Sequence, residues 1–64
     1  MNIFTVVEVL SRAIDVVYDP EARAKMADLF YKASLETKKY LDYEKAVSYL
    51  EIGKCLHVVH IVAL

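Results

Sequence analysis

Glutamine is absent from this 64-residue chain, and cysteine, proline, glycine and asparagine occur once each, at Cys55, Pro20, Gly53 and Asn2. A lone cysteine excludes an internal disulfide, and with no CxxC pair beside it the thiol argues for a reducing, cytoplasmic setting. Met1–Leu10 lacks the basic n-region and small-residue cleavage site of a signal peptide, so no export signal is expected. Charge of one sign is lacking as well. Eight Lys and Arg against nine Asp and Glu leave a net charge of −1, which provides no long-range attraction to nucleic acid or to anionic lipid. A long hydrophobic run is missing too: Glu51 and Lys54 interrupt the apolar tail. About ten uninterrupted residues remain where a membrane span needs about 20, so no membrane partner is expected.

What is present in excess is apolar surface. Hydrophobic residues make up 58% of the chain, against about 45–50% in ordinary domains. Sixty-four residues form one domain, 1–64, and one this small buries only about 60% of the surface its unfolded chain exposes. Small chains lean on a disulfide, a metal or a partner chain, and here the last two remain. Plentiful Glu and Lys without Gln is a thermophile-like composition.

The punctuation is sparse and well placed, with no low-complexity stretch, linker or repeat. Thr5 with Glu8 reads as a capping box, and Glu8, Ser11, Arg12 and Asp15 recur on one narrow arc, which predicts a helix over 5–18. In "YDPEA" Asp19 is an N-cap, Pro20 stands at the first helical position and Glu21 in the first turn, so a second helix should run over 20–40. Asp42 can cap a third over 43–63, with Gly53 weakening its middle. In helix two, Glu21, Lys25, Asp28, Lys32 and Glu36 describe a solvated face. Ala22, Met26, Leu29, Phe30, Ala33, Thr37 and Leu41 form a main apolar stripe, and Ala24, Ala27, Tyr31 and Leu35 a second one. Two stripes imply two partner helices.

The fold class expected is therefore all-α: an antiparallel three-helix chain assembling into a homodimeric helical bundle. Joints as short as Tyr18–Asp19 and Leu41–Asp42 force successive helices to pack antiparallel. At about 20 Å, helix one should cover only the Pro20 end of a hairpin about 30 Å long, leaving the tip around 35–50 open. The alternative is a helical hairpin with short terminal β-strands, since "NIFTVV" and "HVVHIVAL" are rich in β-branched residues.

Residues 42–53, "DYEKAVSYLEIG", resemble the second helix of a tetratricopeptide repeat. Asp42 and Tyr43 stand at the turn, Ala46 follows three residues on, Leu50 takes the large position and Gly53 the next small one. Phe30, Ala33 and Ser34 match the first-helix pattern loosely, Leu41 replaces the turn glycine, and no closing proline follows. The resemblance implies a helix-hairpin interaction module, and one such hairpin cannot bury its face without neighbours.

His57 and His60, three residues apart, share a helix face and are the candidate metal ligands, for zinc or another borderline metal. Two ligands do not make a site. Cys55 lies on roughly the opposite side of the helix and no HExxH motif is present. The histidines fall with Ala46, Leu50, Gly53, Leu56 and Leu64 on the face helix three should bury, which reads as core or interface histidines with a pH-sensitive interface as a consequence. No metal and no cofactor are expected. Cys55 reads as a buried small hydrophobe rather than a nucleophile. Lys38, Lys39 and Lys45, with Lys32, form the one basic cluster, and they are the candidate phosphate contacts if nucleic acid is the partner. Of five tyrosines, three lie near the tip and mark a contact surface.

The expected self-association residues are Val47, Val58 and Val62 on the back of helix three, with Leu50 and Tyr43. No constellation supports an enzyme. The function expected is a non-enzymatic helical interaction module, adaptor or regulator, working as a homo-oligomer, most simply a dimer, with another protein as partner. The alternative is a small dimeric DNA-binding regulator using the Lys-rich tip.

Overall fold

The computed structural model describes residues 2–62, with side chains over 2–56. Three helices follow one another: α1 over Ile3–Ser11, α2 over Pro20–Lys38 and α3 over Tyr43–Val62. No strand occurs among the described residues, so the terminal-strand alternative fails. Residues 3–7 and 57–62 of these segments are helical, and helical bonding satisfies their backbone locally, whereas a strand needs a partner of matching length.

Two of the three helix starts form as their residues dictate. Asp19 is in extended conformation and its carboxylate accepts from the Ala22 N–H at 3.0 Å, with Pro20 next in the chain. Asp42 accepts from the Lys45 N–H at 3.2 Å and opens α3. Helix one differs from its expected 5–18. Its cap is Asn2, whose side-chain oxygen accepts from the Phe4 N–H at 2.7 Å, and Thr5 lies inside the helix. The helix stops at Ser11, whose hydroxyl donates to the Glu8 carbonyl at 2.6 Å. Beyond it, Arg12 and Ala13 donate to carbonyls three residues back, and a series of turns covers 12–16.

The core forms from all three helices: Val7 of α1, Met26, Ala27, Phe30 and Ala33 of α2, and Leu56 of α3 are buried together. The main stripe of α2 is the core stripe as far as Thr37, with Ala22 and Leu29 half-buried, but Leu41, expected in the same stripe, lies beyond the helix and is exposed. Its second stripe is divided, since Ala27 is buried and Tyr31 half-buried while Ala24 and Leu35 are exposed. The seam between α2 and α3 sets small residues beside aromatic rings. Buried Ser34 donates its hydroxyl to the Ala46 carbonyl at 2.9 Å, and the Phe30 and Tyr49 rings meet with centroids 6.1 Å apart. At Gly53 a Cβ would stand 2.6 Å from the Tyr31 ring. Glycine costs about 1 kcal/mol in a helix interior, and here that cost is offset by the close approach of a large aromatic.

Arg23 decides the path between α1 and α2. It is buried, and its Nη1 donates to the Ile14 carbonyl at 2.9 Å and the Val17 carbonyl at 2.6 Å. A guanidinium in α2 thus takes carbonyls that would otherwise accept within a longer first helix. Non-helical residues rise further per residue than helical ones, so the chain from Arg12 to Asp19 carries α1 well along α2. Ile3 consequently shares a surface depression with Lys32, Leu35, Glu36 and Lys39, and Phe4 shares another with Thr37, Tyr40, Asp42 and Lys45. Helix one reaches the far end of α2, contrary to the expectation that it covers only the Pro20 end.

Candidate interaction surface

The joint between α2 and α3 ends in an unusual residue. Lys39, Tyr40 and Leu41 donate their N–H groups to Glu36, Thr37 and Lys38, three residues back, which tightens the last turn. Leu41 then takes φ 62°, in the left-handed region. That region suits glycine and costs a bulky L-residue about 1–2 kcal/mol. Leu41 is nevertheless 72% exposed, so packing among the described residues does little to compensate.

Leu41 has apolar company. Leu35 is 63% exposed, Tyr40 is exposed, and Tyr43 and Val47 at the start of α3 are 58% and 52% exposed. Of the expected self-association residues, then, Tyr43 and Val47 are open and Leu50 is half-buried. The side chains of Val58 and Val62 lie outside the described residues, as do those of His57 and His60. Among the described residues no group of three or more His, Cys, Asp or Glu gathers as a metal donor set. Cys55 is exposed, which corrects the expectation of a buried thiol. The face of α3 turned inward carries Ala46, Gly53 and Leu56, and position 55 falls off that arc.

Charges around the joint are mixed. Lys39 pairs with Glu36 at 3.0 Å and Lys32 with Asp28 at 3.1 Å, while Lys45 lines a shallow depression with Asp42, Glu44 and Ser48. Of the proposed phosphate contacts, Lys38 and Lys45 are exposed with no ion pair among the described residues, and Lys39 is engaged. The sequence signal for Arg23 as a structural residue was slight: an arginine four residues after an N-cap, with nothing to name its carbonyl partners. No helix among the described residues is long and apolar enough to cross a membrane. No family model, curated protein or solved structure matches the chain.

Proposed function

We propose that this chain is a non-enzymatic helical interaction module that self-associates into an antiparallel, two-fold bundle and presents its α2–α3 tip to another protein as an adaptor or regulator. The observation that carries this reading is the number of exposed large apolar residues on so small a chain: Leu35, Tyr40, Leu41, Tyr43 and Val47 around the α2–α3 joint, with Val9, Val16 and Tyr18 exposed elsewhere. Clustered exposed apolar side chains mark contact surfaces, and tyrosine is enriched in them. A left-handed leucine exposed in the same patch adds to the case, because local strain concentrates at functional sites. The tetratricopeptide-like pattern over 42–53 agrees with a hairpin that lacks neighbours within its own chain. Unpaired, exposed Cys55 suits a reducing cytoplasmic setting.

Sedimentation equilibrium at micromolar concentration tests the proposal: a dimer is expected, and a folded 7.3 kDa monomer would sink it. Lys38 and Lys45 are the observation a DNA-binding role would rest on. The carboxylates interleaved with them weaken it, and a gel shift that stays empty at low salt, where phosphate contacts are strongest, removes it.

A further inference from the structure

The outer face of α3 carries charges that have no ion pair among the described residues. On α1 and α2 the acids pair with bases three or four residues on: Glu8 with Arg12, Glu21 with Lys25, Asp28 with Lys32, and half-buried Glu36 with Lys39. On α3, Glu51 and Lys54 stand in the same relation as Glu36 and Lys39, both exposed, and neither has an ion pair among the described residues. They extend a stripe that begins with exposed Tyr43 and Val47, since 43, 47, 51 and 54 follow steps of three and four. Buried Ala46, Gly53 and Leu56 lie on the other side of the helix.

The stripe is symmetric about its own midpoint. Positions 51 and 54 are equally far from the Ile52–Gly53 peptide. So are positions 47 and 58, and positions 43 and 62, and in the sequence these are Val47 with Val58 and Tyr43 with Val62. A two-fold interface makes residue i meet residue j and residue j meet residue i, so a stripe that meets itself head to tail needs opposite charges and matching apolar residues at mirrored positions. Glu51 and Lys54 supply the opposite charges, and the sequence sets Val58 and Val62 at the positions that mirror Val47 and Tyr43. A parallel pairing would set Glu51 against Glu51 and Lys54 against Lys54, and like charges face to face disfavour it.

We infer that the occupant of this face is a second copy of the chain, its α3 running antiparallel to the first across a two-fold axis at the level of Ile52–Gly53, with Glu51 of each copy against Lys54 of the other. The inference rests on the self-association proposed above and adds its partner face and register. Charge reversal reads the register directly. Glu51→Lys alone places lysine against Lys54 twice, and Lys54→Glu alone places glutamate against Glu51 twice. Each variant alone should dimerise at least about tenfold more weakly, about 1.4 kcal/mol. An equimolar mixture of the two restores both opposite-charge contacts between unlike chains, and a heterodimer should form at near wild-type strength. Both positions are exposed, so circular dichroism should report unchanged helix in each variant. Sedimentation equilibrium of wild type, each variant and the mixture separates the outcomes. A monomeric wild type overturns self-association and this inference together. A dimeric wild type whose variants associate equally well, or whose weakened variants are not rescued by mixing, overturns the register and leaves self-association standing.

Discussion

Leu41 and Gly53 break local rules in opposite ways, and each has a physical test. Leu41 holds φ 62° with its side chain in solvent. Leu41→Gly removes the left-handed penalty and restores some chain entropy to the unfolded state, so a net gain of about 0.5–1 kcal/mol is expected, read by urea denaturation as a higher midpoint at constant slope. A variant no more stable than wild type would mean that the leucine makes contacts that repay its strain. Gly53→Ala should destabilise despite alanine's better helix propensity, because the new Cβ meets the Tyr31 ring. The same substitution made in a Tyr31→Ala background has no ring to displace and should gain about 1 kcal/mol from propensity alone. Additive effects in that double-mutant cycle would show that the close approach carries no cost.

Among the elements, α2 and α3 were readable from their caps and periodicity, whereas of α1 the existence was readable but not its cap or its end. Asp19 with Pro20, and Asp42, carry their information within four residues, and of the expected stripe Met26, Phe30, Ala33 and Thr37 are buried, Ala22 and Leu29 half-buried and Leu41 exposed. The end of α1 depends on Arg23 reaching back six and nine residues to the Val17 and Ile14 carbonyls, which no local pattern encodes. Of the contact surface, the exposure of Tyr43 and Val47 followed from helical spacing. That of Cys55 was misjudged, because cysteine's general preference for the interior outweighed its position on the wheel. The role given to Arg23 makes a prediction about its segment. Arg23→Met keeps the apolar stem and removes the donors, leaving two carbonyls without their partner at an expected cost of about 2 kcal/mol. Hydrogen exchange should quicken first at the Val16 and Val17 amides, both of which donate to the Ala13 carbonyl in that connection. A loss of protection spread evenly over α2 and α3 would assign Arg23 to global stability instead.

For the whole molecule, the question is whether a 64-residue chain with 58% hydrophobic residues holds its fold alone. Among the described residues Phe30, Leu56 and Val7 are the largest fully buried side chains, while Val9, Val16, Tyr18, Leu35, Tyr40, Leu41, Tyr43 and Val47 remain open. Folding coupled to self-association makes stability depend on protein concentration, since a partner that binds only the folded state stabilises it by mass action. The melting temperature of the wild type should therefore rise as concentration is raised from micromolar to millimolar. Val47→Glu isolates the coupling. At a half-open position on the outer face of α3, glutamate is well tolerated by a lone helix. In a paired α3 it buries a charge with no partner, worth several kcal/mol if fully desolvated. The variant should keep its helical spectrum, sediment as a monomer, and melt at a temperature that no longer varies with concentration, close to that of the wild type at its most dilute. Concentration-dependent melting that persists in Val47→Glu would place the contact between copies away from α3, with the exposed Leu35 and Leu41 side of the tip as the next surface to substitute.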